Sequence, residues 1–331
     1  MNINTKIKNV IFLCVLTVCN IACNAPQNTA STLSAHHYAY ITNQGDNTVS
    51  VIDTKTNKVV STLEVGASPV GVAVSGKTAR AYISNIDGKS ISVINTQSNQ
   101  LIKTLQINAF PVGLALSNDG RILYAADWFD NRVLAINTLE PHHIRELKVG
   151  NAPAGMVVST DNQWLYVANR DSDDIAVIDT ITLNITKRIA VGKHPFGLAL
   201  SHNGDWLVSV NVQEDTVSLM NTRTWQQQKI KVGYHPYCAA ITQDDKTLYV
   251  TNTQDDNVTV IDLVSKKVIT TVDVGSTPEG ISIDHLHHRA YVANWGSNNV
   301  SVIDTTSNKL VATIKTGDKS RAFGLFTLNH N

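Results

Sequence analysis

From Pro69 to Ser75, apolar and small residues alternate with a period of two: Val70, Val72 and Val74 flank Gly71 and Ala73. Three more short runs follow: Ala81-Tyr82-Ile83, Ile91-Ser92-Val93-Ile94 and Leu101-Ile102-Lys103-Thr104-Leu105. Each is rich in β-branched residues and is bounded by Gly, Asn, Asp, Ser or Thr. A period of two closed off by these residues predicts four short strands joined by tight turns, not helices. The pattern then repeats along the chain. Tyr40, Tyr82, Tyr124, Tyr166, Val208, Tyr249 and Tyr291 are 42 residues apart, except for one step of 41. Pro69, Pro111, Pro153, Pro195, Pro236 and Pro278 keep the same spacing. So do Asp53, Asn95, Asn137, Asp179, Asn221, Asp262 and Asp304.

Four antiparallel strands repeated at this period predict the blades of a propeller, because one blade alone cannot bury both of its faces. The expected fold is therefore all-β: a seven-bladed β-propeller of four-stranded antiparallel blades over residues 38–328. The chain enters at Tyr38-Ala39-Tyr40, a second strand with no first strand before it. It leaves at Phe323-Gly324-Leu325-Phe326-Thr327-Leu328, which matches the first strand Phe196-Gly197-Leu198-Ala199-Leu200. The C-terminal strand is thus expected to pair into the N-terminal blade, closing the ring and removing an open sheet edge.

Tyr249-Val250-Thr251-Asn252 is a YVTN tetrapeptide, and Tyr40-Ile41-Thr42-Asn43, Tyr82-Ile83-Ser84-Asn85, Tyr166-Val167-Ala168-Asn169 and Tyr291-Val292-Ala293-Asn294 are variants of it. With the Val-Ile-Asp-Thr turns and the Val-Gly-x-x-Pro-x-Gly links, the chain resembles the YVTN family of β-propeller repeat proteins. That family is similar to surface-layer repeat proteins and to periplasmic propellers of varied role. The resemblance implies a fold and leaves function open. Two positions depart from the pattern. Val208 replaces the tyrosine, and Cys238 replaces the glycine of Gly71, Gly113, Gly155, Gly197 and Gly280.

With strands a to d counted outward from the channel, the b–c turns and d–a links share one end, where propeller ligands commonly sit. Positions repeated in every blade read as scaffold, with the Asn43 and Asp53 types as turn caps. Residues that break the repeat at that mouth are the candidate ligand site: Trp128, Phe129, His194, Phe196, Tyr234, His235, Tyr237, Glu279 and Trp295. His194 and His235 occupy equivalent places in adjacent blades and are the candidate metal ligands, although two histidines without a third ligand make an incomplete site. The plain alternative is that His-Pro is loop filler and the rings cap the blades. Cys238 beside Ala239, where other blades have Gly and a larger residue, reads as volume compensation.

Charge adds a direction. The chain is neutral overall, with 27 basic and 27 acidic residues. Yet the seven b–c turns hold eleven acids against three bases. The c–d turns lean basic through Lys55, Lys58, Arg223, Lys266, Lys267 and Lys309. An acidic mouth repels phosphate backbones and attracts basic partners, which disfavours nucleic acid there. Only the basic c–d face keeps a DNA-binding reading open.

The N-terminus adds a location. Lys6 and Lys8 precede the apolar run from Val10 to Val18, so residues 1–22 read as a signal peptide. Asn20-Ile21-Ala22-Cys23 resembles a lipobox, with Asn20 where Leu is preferred. This implies a lipidated Cys23 and a tether over residues 23–37, holding a periplasmic or envelope protein to the membrane, with ordinary secretory cleavage and a flexible N-terminus as the alternative. The other cysteines, Cys14 and Cys19, lie in the leader, so Cys238 has no intrachain partner in the folded part. There is no Gly-x-Ser-x-Gly, no His-x-x-x-His and no phosphate-cradling glycine loop. The favoured reading is a monomeric, non-catalytic binding or scaffold propeller. It would present its acidic, aromatic mouth to an envelope protein or small ligand. The alternative is a metal- or redox-cofactor-dependent enzyme or dehydrogenase-type subunit. The sequence specifies no cofactor.

Overall fold

Alternation of apolar and polar residues produces seven small sheets. The first holds β1 (Tyr38–Asn43), β2 (Thr48–Asp53) and β3 (Lys58–Glu64). The second holds β4 (Pro69–Ser75), β5 (Arg80–Asn85), β6 (Ser90–Asn95) and β7 (Gln100–Gln106). The third holds β8 (Pro111–Leu116), β9 (Ile122–Asp127), β10 (Arg132–Asn137) and β11 (Ile144–Lys148). The fourth holds β12 (Pro153–Val158), β13 (Trp164–Asn169), β14 (Asp174–Asp179) and β15 (Asn184–Ala190). The fifth holds β16 (Pro195–Leu200), β17 (Trp206–Asn211), β18 (Thr216–Asn221) and β19 (Gln227–Lys231). The sixth holds β20 (Pro236–Ile241), β21 (Thr247–Asn252), β22 (Asn257–Asp262) and β23 (Lys267–Asp273). The seventh holds β24 (Pro278–Asp284), β25 (Arg289–Asn294), β26 (Asn299–Asp304) and β27 (Lys309–Lys315), and β28 (Phe323–Leu325) ends the chain. This is a seven-bladed β-propeller of antiparallel blades, with strands paired in sequence order.

The computed structural model describes residues 37–328; the expected signal peptide, Cys23 and all but the last residue of the tether lie outside the described residues. Among the described residues, no helix is long and apolar enough to cross a membrane.

The inner three strands of each blade are buried on both faces, while the outer strands β3, β7, β11, β15, β19, β23 and β27 are largely exposed. The YVTN positions explain how neighbouring blades hold together. The Tyr40 hydroxyl donates to Asn99 Oδ1 (2.8 Å) in the c–d turn of the next blade. Tyr249 does the same to Asn308 (2.5 Å), and Tyr291 to Asn57 (2.7 Å) across the ring closure. The third residue reaches the next inner strand: Thr42 Oγ1 donates to the Val70 carbonyl (3.2 Å) and Thr251 Oγ1 to that of Glu279 (3.0 Å). The asparagine works within its own blade. Asn43 Nδ2 donates to the Thr48 and Ser50 hydroxyls, both at 2.9 Å, and its Oδ1 accepts from the Gly317 N–H (3.1 Å). These are the satisfied polar contacts that buried Tyr, Thr and Asn side chains require. Nothing in the structure explains Val208: the next blade carries Lys266, not Asn, at the left-handed turn position (φ 57), but Tyr124 and Tyr166 remain tyrosine where that position is Leu183 (φ 55) and Trp225 (φ 61).

Ring closure joins the two ends of the chain. The Tyr40 N–H donates to the Phe326 carbonyl (3.0 Å), Leu328 N–H to Tyr38 (2.8 Å), and Arg321 N–H to Thr42 (2.8 Å). The C-terminal run therefore lies antiparallel beside β1 and supplies the first strand of the N-terminal blade. In its middle it swings across the axis, and β28 pairs parallel with β4, Phe323 opposite Gly71 and Leu325 opposite Ala73. Ala322 (φ 82) and Gly324 (φ 106) make that swing through left-handed backbone. At Gly324 a Cβ would also meet the Val72 carbonyl oxygen at 2.6 Å.

Candidate site at the channel mouth

The residue after each link proline points toward the axis, and these residues vary in size. Val70, Val112 and Ala154 are small or medium, Phe196 and Tyr237 are rings and Glu279 is charged, and Phe323 of the C-terminal run adds a third ring. Phe196 sits at the centre, its ring 4.1 Å from that of Tyr237, 4.7 Å from Phe323 and 6.0 Å from Trp128. Phe196 and Phe323 are buried. The aromatic residues at this end thus fill the channel with a packed plug.

A charged cluster completes the plug. Arg321 Nε donates to Glu279 Oε2, its second nitrogen to the Tyr237 hydroxyl (2.8 Å) and its third to Gln44 Oε1 (3.3 Å). Trp295 joins through Nε1–H to the same Gln44 oxygen (3.3 Å). Burial raises the Glu279 carboxyl above its ordinary range and Arg321 opposes that rise. The Tyr237 hydroxyl is raised by burial as well, with Arg321 opposing. Each charge is desolvated, and each is paired, which is what keeps such a cluster tolerable. Cys238, beneath the plug, is buried, and burial pushes its thiol well above the ordinary value. A protonated, enclosed thiol packs as a small hydrophobe and is no nucleophile.

His194 and His235 lie at the rim, both in left-handed backbone (φ 53 and 54). The His194 N–H donates to Asp173 Oδ1 (2.8 Å) and the His235 N–H to Asp215 Oδ1 (3.0 Å). Desolvation is the main cause that lowers the His235 pKa, with Arg170 and His194 adding to it. Among the described residues, no three His, Cys, Asp or Glu side chains converge as a metal-ligand set.

Phe129 and Tyr234 stay outside the plug, 64% and 60% exposed. Phe129 packs edge-on against Phe110 (4.9 Å), and Lys89 lies 4.5 Å above the Phe110 ring. Around them stand the acidic b–c turns. Asp173, Asp215 and Asp256 each accept from the N–H of the residue before a link proline. Asn47 and Asn131 do the same for Ser68 and Ala152, and Asn298 accepts from the Lys319 N–H, where Ser320 stands in place of the proline. Asp127 differs: it is a buried carboxylate where most blades have Asn, and it pairs with Arg132 Nε at 2.7 Å.

The nine candidates therefore separate. Phe196, Tyr237 and Glu279 form the plug, with Trp128 and Trp295 at its edge. His194 and His235 are rim neighbours, and Phe129 and Tyr234 are surface rings. Sequence reasoning missed Arg321 and the plug role of Phe323. The sequence match of Phe323 to Phe196 is two residues out at this end: Ser320 lies opposite Asn43 as Pro195 lies opposite Asn211, and the Ala322 N–H meets Thr42 Oγ1 as the Cys238 N–H meets Thr251 Oγ1, so Arg321 takes the ring position of Phe196 and Phe323 follows in the extra residues that lead to β4.

The open volume is elsewhere. A cavity of about 590 Å³ runs along the inner strands from Gly113, Gly155, Gly197 and Cys238 to the a–b turns at the other end.

A family model described as lactonase, 7-bladed β-propeller matches residues 131–230, less than a third of the chain. Among solved structures, the chain is similar to the hydrazine synthase of Kuenenia stuttgartiensis, at 21% identity over 80% of this chain and 92% of that one, TM-score 0.73. It is similar to a candidate 6-phosphogluconolactonase of Bacteroides fragilis, at 14% identity over 90% and 99%, TM-score 0.73. It also resembles the dihydro-heme d1 dehydrogenase NirN in complex with DHE, at 13% identity over 85% and 64%, TM-score 0.66. At these identities the likeness is one of fold. No curated protein sequence matches.

Proposed function

We propose that this chain is a non-catalytic binding propeller of the bacterial envelope, tethered through a lipid on Cys23. Its acidic b–c face would dock a basic protein surface. One observation carries this reading: the channel at that face is filled by Phe196, Tyr237 and Phe323, while Phe129 and Tyr234 stand exposed beside acidic turns. A plugged face offers area, not a pocket, and area with a few exposed rings suits a protein partner better than a small ligand. Net negative charge selects a basic partner and speeds its encounter.

The test is site-specific photocrosslinking in producing cells from position 129 or 234, with position 264 on the opposite end as control. A protein captured from the first two positions and not from the third supports the face. Its purified affinity should then fall about tenfold or more with Phe129→Ala/Tyr234→Ala, as loss of central aromatic anchors does. Equal capture from both ends, or an affinity indifferent to that double variant, would overturn it.

A further inference from the structure

The axial cavity opens at the end opposite the plug, and its wall and its rim differ in chemistry. Leu116, Met156, Val157, Leu198, Leu200 and Leu325 line the wall. Leu325 is 53% exposed although it lines an internal space, because the swing of the C-terminal run across the axis carries it there. Apolar side chains left unpacked inside a molecule forgo burial of roughly 25 cal/mol for every Å² that a ligand would cover. At about 590 Å³ the cavity lies within the ~300–1,000 Å³ range of small-molecule pockets. Phe323 and Cys238 line its inner end, against the packed rings of Phe196 and Tyr237.

The rim is polar, and Lys77 is the one Lys or Arg among the residues that line the cavity. Lys77, Asn118, Thr160, His202, Gln243 and His285 stand around the opening. Among the described residues no carboxylate lines the cavity, and Lys77 has no ion-pair partner. The acids of the a–b turns are engaged elsewhere: Asp245 accepts from the N–H groups of His202 (2.6 Å) and Asn203 (2.9 Å), and Asp119, Asp161 and Asp244 accept from the hydroxyls of Ser117, Ser159 and Thr242. The His202 and His285 rings meet edge to face at 4.8 Å and narrow one side of the opening.

We propose that this cavity binds a small amphiphile with an aliphatic body and an anionic head, of the chemical class of a medium-chain carboxylate. The chain lies along the Leu and Met wall, and the head stays at the rim near Lys77, where imidazoles and amides donate hydrogen bonds. The site is at the far end of the molecule from the acidic docking face and does not depend on it.

Calorimetric titration at pH 7.5 with decanoate, and separately with the uncharged decanol, tests the assignment on the mature protein, on Ala240→Trp and on Lys77→Gln. Decanoate should bind once per chain. Ala240→Trp, which fills the cavity, should weaken it about tenfold or more, a change of about 1.4 kcal/mol. Lys77→Gln should weaken decanoate roughly threefold and leave decanol unchanged, the scale of a half-screened surface charge. Should Ala240→Trp fail to fold, Leu325→Trp, at a half-exposed position, makes the same blockade. No saturable decanoate binding, or binding untouched by either tryptophan, would refute the pocket. Indifference of decanoate to Lys77→Gln would refute the anionic head.

Discussion

At the scale of single residues, the acidic b–c turns combine a fold requirement with a choice of charge. Capping the last N–H of a d–a link needs an acceptor in left-handed backbone, and Asn47, Asn131 and Asn298 supply one without charge. Asp173, Asp215 and Asp256 supply the same bond with a charge that capping does not need. The three belong to consecutive blades, so their charges fall on one arc beside His194, His235 and Tyr234. The triple variant Asp173→Asn/Asp215→Asn/Asp256→Asn isolates the two roles. Asn tolerates positive φ and keeps an acceptor oxygen. Urea unfolding should therefore place the variant within about 1 kcal/mol of the parent. Its affinity for a basic partner should fall, and the salt dependence of binding should flatten. A variant that unfolds easily would mean that the charge itself holds the turns.

At the scale of elements, the inner strands set the tightest tolerance. A Cβ at Gly197 would lie 2.6 Å from the Tyr237 carbonyl oxygen and 2.8 Å from the Cys238 Cα. Both are backbone atoms of the next inner strand, so no rotamer change relieves the clash. Gly197→Ala should cost roughly 1–3 kcal/mol by overpacking. Cys238 occupies the matching position one blade on without a clash, and Ala239 beside it is smaller than Leu198. Cys238→Ala removes only a sulfur and should cost about 1 kcal/mol. Denaturant unfolding of both variants checks the order. If Gly197→Ala proved the milder of the two, the strands would be looser than this packing implies. The same contrast explains why Cys238 was legible as compensation: one site grows where its neighbour shrinks, and that pattern is visible in the sequence alone.

At the scale of the whole molecule, the sequence revealed the ring and not its open end. Blade number, strand order and closure follow from a repeat that every blade must obey, so the markers at Tyr40, Pro69 and Asp53 carry them. Whether the channel is open at a given end depends on the summed volume of seven side chains at one radius. Phe196, Tyr237 and Phe323 appear in the sequence as breaks in the repeat, and only the ring geometry shows that together they fill the axis. The rim histidines at the far end were invisible for a related reason. His202 and His285 are 83 residues apart and meet only when their a–b turns converge. That convergence has a consequence for acid stability. Burial is the main cause that pushes the His285 pKa down to about 4, with His202 and His288 adding to it and Asp284 and Asp245 opposing. The unfolded chain, with a histidine pKa of about 6.5, binds this proton first. Below about pH 6.5 the unfolded state therefore takes up more protons than the folded one, and stability falls as pH drops toward 4. Above pH 6.5 both forms are neutral and the effect vanishes. Asp119, Asp161 and Asp244, held low chiefly by hydroxyls of Ser117, Ser159 and Thr242, act in a separate window below their ordinary values. Urea midpoints measured from pH 7.5 to 4.5 should decline in the parent and decline less in His285→Gln, by on the order of 1–3 kcal/mol at the acid end. Parallel declines would place the proton uptake elsewhere, with His235, also lowered mainly by burial, the next residue to replace.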